Sequence, residues 1–356
     1  MISPQCRPLF IGSFPGRSHE EAVRTVCAAS PDFPAWPQLP SHAAEGMIDQ
    51  FLEGFPGIAQ GNGKTWIDSA AAGFDEQLLA FFEDYIHCQE DPVALVTSRF
   101  AFSLETGLGL DTLLAHCRKL PARPAALKGQ ITGPVTFCTT VVDERGRAIF
   151  YNESLRDAAI KMLAMKARYQ ARLMRDISKD VLIFQDEPGL SGFGSSAFIT
   201  ITKDDVQQAI GEVSAAIHEE GGLCGVHVCA NTEWPLLLEK DVDIVSYDAF
   251  SYFDRLSLYK NELTAFIRRG GLLATGIIPT APELVDQVNA ADLTQKWLEQ
   301  CETLAGFGFD REQIFAQTFI TPSCGMGSLT EAQAARVVDL LHDVAAAVRK
   351  HARQHF

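Results

Sequence analysis

From about residue 90 onward, short apolar runs alternate with longer segments in which apolar residues recur at spacings of three and four. The second pattern, seen at Val206, Ile210 and Val213, is typical of amphipathic helices. The short runs predict strands at Val93–Ser98, Leu127–Thr132, Val181–Asp186, Leu223–Cys229, Ile244–Ala249, Leu272–Ile278 and Ile314–Thr321. The longer segments predict helices at Ser154–Asp176, Lys203–Glu220, Glu233–Lys240, Lys260–Arg269, Ala291–Ala305 and Thr330–Gln354.

An apolar run at the N-terminus, Pro8–Ser13, adds an eighth strand to these seven. Eight strands that alternate with helices predict an α/β protein built as a single (β/α)8 TIM barrel spanning residues 1–356. Residues 16–84 are longer than one strand–helix unit requires. We interpret them as an insertion that covers the barrel mouth, with a hairpin around Gly61–Lys64.

Composition narrows the classes of function. The chain has 47% hydrophobic and 21% charged residues, which is typical of globular proteins, and a net charge of −15. That charge repels nucleic acid and anionic membranes, so neither is an expected partner. No apolar run is long enough to span a membrane, and no signal peptide is apparent. Nine scattered cysteines favour free or metal-bound thiols in a reducing compartment, so we expect a cytoplasmic protein.

Two strand ends far apart in the chain carry metal-ligating side chains. His227 and Cys229 are two residues apart, so they point to the same face of their strand, whereas Cys224 should face the helices. Cys324 follows a later strand, and strand ends meet at one face of a barrel. One nitrogen and two sulfurs suit Zn²⁺. The sequence therefore predicts a zinc site with a fourth position open to substrate.

Acidic residues lie at the ends of two further strands, one on either side of the strand that carries His227. Asp248 has three open roles: a fourth metal ligand, a partner that orients His227, or the cap of the next helix. Asp186 and Glu187 end another strand, where two adjacent acids predict a site for a substrate amine. The alternative for this pair is helix-start chemistry.

The predicted ligand set favours a particular reaction. Two thiolate ligands donate strongly to zinc, which suits binding a substrate thiol, lowering its pKa and keeping it nucleophilic. We therefore expect transfer of an alkyl group to a thiol. Hydrolysis by zinc-bound hydroxide is a weaker candidate, because such sites use mainly histidine and carboxylate ligands.

Several strand-end motifs together resemble the catalytic barrel of the cobalamin-independent methionine synthase family, within the uroporphyrinogen decarboxylase/methionine synthase-like superfamily. The motifs are Ile11-Gly12-Ser13-Phe14-Pro15, Thr132-Gly133-Pro134-Val135-Thr136, Gln185-Asp186-Glu187-Pro188, His227-Val228-Cys229 and Cys324-Gly325. The resemblance implies a zinc-dependent methyltransferase that forms methionine from homocysteine. It implies that Ile11, Gly12 and Ser13 hold this substrate and that Asp186 binds its amine as the catalytic-site acid.

The chain also departs from that family. The family's remaining zinc ligand is a glutamate, where this chain has Asp248, and its histidine after the seventh strand is missing from Gly276–Thr280. The family's second barrel, which helps to bind folate, is absent from this sequence. These departures favour a methylated corrinoid protein over methyltetrahydrofolate as the methyl donor.

Two alternatives remain at this stage. Methylcobamide:coenzyme M methyltransferases share the His-x-Cys and Cys ligands, but a sulfonate substrate needs cations, whereas Asp186 and Glu187 suit an amine. The other alternative is a non-catalytic barrel that binds a corrinoid or tetrapyrrole.

Overall fold

The computed structural model describes residues 2–195, 198, 200–239 and 241–355. The strands are β1 (Ile58–Gly61), β2 (Lys64–Ile67), β3 (Ala126–Thr132), β4 (Asp180–Asp186), β5 (Leu223–Val228), β6 (Ile244–Tyr247), β7 (Leu272–Ile278) and β8 (Thr318–Pro322). The helices are α1 (His19–Ala29), α2 (Asp49–Leu52), α3 (Phe74–Glu90), α4 (Leu108–Cys117), α5 (Pro134–Thr140), α6 (Glu153–Arg175), α7 (Lys203–Glu219), α8 (Pro235–Leu238), α9 (Ala249–Leu256), α10 (Lys260–Arg268), α11 (Pro282–Val285), α12 (Ala290–Ala305), α13 (Arg311–Ala316) and α14 (Glu331–His355).

Strands β3 to β8 form a curled, six-stranded parallel sheet in sequence order, with helices packed on its outer side. Nearly every residue of these strands is buried, as expected for a parallel sheet covered on both faces. One apolar cluster lies between the sheet and the helices. A second cluster lies inside the curl and includes Leu9, Phe33, Phe184 and Phe319. The carboxyl ends of the six strands therefore open onto one face.

Two extended segments join the edges of this sheet. The backbone N–H of Leu9 donates to the carbonyl of Ile320 in β8 at 3.0 Å, which attaches segment 8–13 to one edge. The N–H of Trp36 donates to the carbonyl of Lys128 in β3 at 3.1 Å, which attaches segment 32–38 to the other. The two segments bond to each other through Gly12 and Gln38 at 3.1 Å. Six of the eight predicted strand positions are thus regular strands. Between β8 and β3, the two extended segments take the remaining positions through isolated parallel bridges.

The predicted strand Val93–Ser98 is wrong. This stretch contains a 3-10 helix, Ala94–Thr97, in which only Leu95 is buried. The side chain of Val93 is 69% exposed, because an Asp-Pro turn places the run on the surface and away from the sheet. Segment 32–38 holds the position next to β3 instead. Its prolines lack N–H donors, which hides its extended character from a strand pattern.

The remaining elements mostly agree with the predictions. Five of the six predicted helices match α6, α7, α10, α12 and α14 to within one residue at each end. The sixth is the single turn α8, and its predicted end at Lys240 lies outside the described residues. The hairpin is confirmed as β1 and β2, with Asn62 and Gly63 both at positive φ, as a two-residue turn requires. Within the described residues, no helix has the length and hydrophobicity needed to cross a bilayer.

Candidate metal and substrate site

A cavity of about 510 Å³ lies at the carboxyl ends of the strands. Its floor comes from residues that end β3, β4, β5 and β8, and its roof from residues 38–47, which we call the covering segment. This is the face on which parallel barrels build their active sites. The described lining contains carboxylates, thiols and one imidazole, but neither lysine nor arginine.

His227, Cys229 and Cys324 meet at this cavity. One nitrogen of the histidine and the two sulfur atoms all lie within 4.8 Å of one another. In tetrahedral zinc sites, metal–ligand bonds of about 2.0–2.3 Å place ligand atoms roughly 3.5–3.8 Å apart, so small adjustments would let an ion bind all three. The nine cysteines of the chain are free thiols. The structure thus brings together the three predicted ligands from strand ends distant in sequence.

The imidazole of His227 is oriented for this role. Its Nδ1 lies 2.9 Å from the hydroxyl oxygen of Ser246, the neighbouring residue in β6. Its Nε2 is buried and has no hydrogen-bond partner. An orphaned buried nitrogen is costly unless it has a ligand. A hydrogen bond from Nδ1–H to a neighbour is the usual way to orient a metal-binding histidine. The residues therefore fit a metal ion bound through Nε2.

The two thiols lie close together, which favours one thiolate. Interaction with the thiol of Cys324, together with the adjacent His227, lowers the pKa of Cys229 to about 4. The same interaction, with burial, raises the pKa of Cys324 above its usual range. Cys229 is therefore the first sulfur to ionise, and a bound cation would remove the second proton as well.

Asp248 adopts one of its three open roles. Its Oδ1 accepts a hydrogen bond from the backbone N–H of Ser251 at 2.9 Å, which caps α9. Its carboxylate is not part of the cluster of three metal-ligating side chains. Burial raises the pKa of Asp248 from its ordinary value. The partner that orients His227 is Ser246 instead, a residue whose only sequence signal is a hydroxyl within a buried apolar strand.

Asp186 lies on the cavity floor between Thr132 and His227 in the register of the sheet. Its Oδ1 is buried and has no hydrogen-bond partner. Burial raises the pKa of Asp186 to about 6, although Lys128 and His227 oppose that shift. A buried acceptor without a partner, on a residue that lines a cavity, needs a donor from a ligand or water.

The structure does not place Glu187 in the cavity beside Asp186. Its carboxylate accepts hydrogen bonds from the N–H groups of Val135 and Thr136, at 2.9 and 2.8 Å, and from the hydroxyl of Thr136. It caps the first turn of α5, which follows β3, and makes no side-chain cap bond at the 3-10 helix that begins at Pro188. Gly133 is needed beside it, because a Cβ there would lie 2.2 Å from the carboxyl carbon of Glu187.

Two residues of segment 11–13 form part of the cavity wall. Ile11 and Ser13 line the cavity. Gly12 lies behind them, where a Cβ would approach Gln38 to 2.9 Å. The Ser13 hydroxyl accepts a hydrogen bond from the backbone of Gly327 at 3.2 Å, which ties this wall to the turn after Cys324.

Sequence reasoning missed two charged residues near the cavity. Glu45, from the covering segment, lines the cavity although it is almost fully buried. Nothing in its local pattern distinguishes it from a surface acid. Lys128 is fully buried inside the sheet, donates to the carbonyl of Ile11, and lies 4.5 Å from the ring centroid of Phe184. Burial lowers the pKa of Lys128 to about 8. The sequence signal that could have identified Lys128 was a lysine within a run predicted to be a strand.

One comparison with a solved structure supports the fold, and two others give weaker likeness. A methyltransferase from Methanosarcina mazei matches over 94% of this chain and 85% of its own, with 12% identity and a TM-score of 0.54. A B12-independent methionine synthase from a Shewanella species, in complex with selenomethionine, aligns with 64% of each chain, 18% identity and a TM-score of 0.46. A structure of the catalytic modules of a pneumococcal exo-beta-D-N-acetylglucosaminidase aligns with 96% of this chain, at 11% identity and a TM-score of 0.47.

This chain therefore spans just under two thirds of the methionine synthase structure it matches. No protein-family model matches the sequence, and no curated protein does. At these identities the likeness concerns the fold alone, which is that of an α/β protein with a parallel sheet shared with a methyltransferase.

Proposed function

We propose that this protein is a zinc-dependent methyltransferase that methylates the thiol of homocysteine to form methionine. The observation that carries the proposal is the meeting of His227, Cys229 and Cys324 at a cavity that also contains an unpartnered carboxylate. A methyltransferase shares the fold over nearly the whole chain, which supports the reaction class.

The three ligands suit a thiol substrate. Bound there, Zn²⁺ would supply a positive charge that lowers the pKa of an incoming thiol and keeps its sulfur nucleophilic. The chain itself supplies one neutral imidazole and two sulfurs, and leaves the fourth position open because Asp248 caps α9 instead. Ser246 holds the imidazole in the orientation that frees Nε2. The side chains thus prepare a site for a fourth ligand from the cavity.

Two carboxylates support an amino thiol as the substrate. Asp186 on the floor and Glu45 on the roof both line the cavity, so an ammonium group between them would find negative charge on two sides. We propose that Glu45 has the role first predicted for Glu187. The absence of lysine and arginine from the described lining disfavours a sulfonate thiol such as coenzyme M, which needs a cation.

The stretch after β7 supports a methyl group carried on cobalt. The resembled family has a histidine here, whereas Gly276–Thr280 contains none, and at its end Thr280 donates its backbone N–H to the hydroxyl of Ser323 at 3.1 Å. The Thr280 side chain therefore belongs to a closed pair of hydroxyls and offers no strong acid. A methyl group on a corrinoid passes to sulfur without protonation of its leaving group, while the thiol proton leaves to solvent. We propose a methylated corrinoid protein as the donor.

Metal content and methyl transfer, measured on the same preparations, test the proposal. We expect one zinc per chain in the wild type, loss of zinc in Cys324→Ala and retention in Cys224→Ala. Cys224 is a matched control, because it lies in β5, faces the outer side of the sheet and bonds to Ser214 and Gln185. Methylation of homocysteine is then assayed with methylcobalamin, methyltetrahydrofolate and S-adenosylmethionine in parallel. Wild-type protein without zinc, or zinc unchanged in Cys324→Ala, would contradict the proposal.

A further inference from the structure

Glu45 is held in the cavity roof by two donors. Its Oε2 accepts a hydrogen bond from the backbone N–H of Leu39 at 2.6 Å, and its Oε1 lies 2.6 Å from Nε2 of His19. Each carboxylate oxygen has a second acceptor position, so both remain able to bind a ligand. The two bonds fix the plane of the carboxylate without using all of its hydrogen-bond acceptor positions.

His19 is itself rigidly placed. It is the first residue of α1 and only 5% exposed, and its ring centroid lies 5.0 Å from that of His42. Helix α4 closes the other side. A Cβ at Gly109 would lie 3.4 Å from Cδ2 of His19 and only 2.2 Å from the carbonyl oxygen of Pro37. Glycine at this position lets α4 approach both the imidazole and the start of the covering segment.

His19 does not line the cavity, although Glu45, whose carboxylate it contacts, is one of the lining residues. Any effect of His19 on a ligand must therefore pass through Glu45. We propose that His19 is a positioning residue that sets the Glu45 carboxylate for the ammonium group of the substrate, an inference that rests on the proposed function. It makes the cavity selective for thiols and thioethers that carry an amine.

A purely structural role for the same contact predicts something different. If His19 only fastens α1 to the covering segment, its loss loosens the whole roof and weakens every ligand alike. If it positions Glu45, its loss weakens only ligands with an amine. The two roles are separated by comparing methionine with 4-(methylthio)butanoate, which lacks the amine but keeps the thioether and carboxylate.

The test is a calorimetric binding titration with these two ligands. In His19→Phe we expect about tenfold to a hundredfold weaker binding of methionine, as for the loss of a hydrogen bond to a charged group, and unchanged binding of the desamino analogue. His19→Asn, whose amide is too short to reach Glu45, should behave the same way and provides a polar replacement if the phenylalanine variant misfolds. His19→Gln, whose amide can reach Glu45, should restore methionine binding. His218→Phe, which removes a histidine–carboxylate contact with Asp243 outside the cavity, is the matched control and should match the wild type.

Each contrary result has a distinct meaning. Equal losses for both ligands in His19→Phe and His19→Asn, or no loss for either, would overturn the positioning role while leaving the proposed function intact. Wild-type protein that binds methionine no better than its desamino analogue would overturn the amine site, and with it both the proposed substrate and this inference.

Discussion

At the scale of single residues, the site depends on side chains whose hydrogen bonds decide their roles. Asp186 and Glu187 are adjacent and both acidic, yet one faces the cavity and the other caps α5. The alternation of side chains along an extended strand end separates them. The sequence was enough to predict that acidic residues at this strand end have a function. Which of the two lines the cavity depends on where α5 packs, and no local sequence pattern specifies that.

The contact between Ser246 and His227 gives a prediction at this scale. Ser246→Ala removes the acceptor for Nδ1 and so frees the imidazole to rotate. Loss of such a partner typically lowers metal affinity about 10–100-fold, and we expect a decrease of that size here. Zinc affinity measured by chelator competition checks this result. Ser214→Ala, which removes a buried hydroxyl of α7 that contacts Cys224 on the outer side of β5, is the control. Equal affinities in all three proteins would show that Ser246 does not orient the ligand.

At the scale of elements, helix starts account for acids that could be mistaken for ligands. Asp248 follows β6 directly and caps α9, a helix that begins at the next residue. A carboxylate that accepts from the N–H groups of a first turn stabilises that helix. Sequence alone left this role open, because a cap and a metal ligand at a strand end have the same signature. Only the positions of His227, Cys229 and Cys324 distinguish a cap from a metal ligand here.

We therefore expect Asp248→Ala to lower the stability of the protein and to leave its zinc content unchanged. Loss of an N-cap side chain costs about 1 kcal/mol of unfolding free energy. Urea unfolding of wild-type and variant proteins measures that cost, and zinc analysis of the same samples measures metal content. We expect lower stability with an unchanged zinc content. A variant that loses zinc would instead identify Asp248 as the fourth ligand.

At the scale of the whole molecule, the alternation of strands and helices predicted the parallel sheet and the face that holds the site. It succeeded from β3 onward, where the buried strands are short and mostly apolar. It failed for the strand next to β3. There, segment 32–38 contains prolines, and the surface run around Leu95 looks like a strand. The same failure hid Glu45, because its role depends on how the covering segment folds back over the cavity.

The central claim is that one nitrogen and two sulfurs of this chain bind zinc and leave a position for a substrate thiol. X-ray absorption at the zinc K-edge, recorded on purified protein before and after homocysteine is added, tests it most directly. We predict one imidazole nitrogen and two sulfurs in the first shell, with a light atom completing the site, and a third sulfur at about 2.3 Å once homocysteine is present. A shell without sulfur, or a sulfur count that homocysteine does not change, would contradict the account.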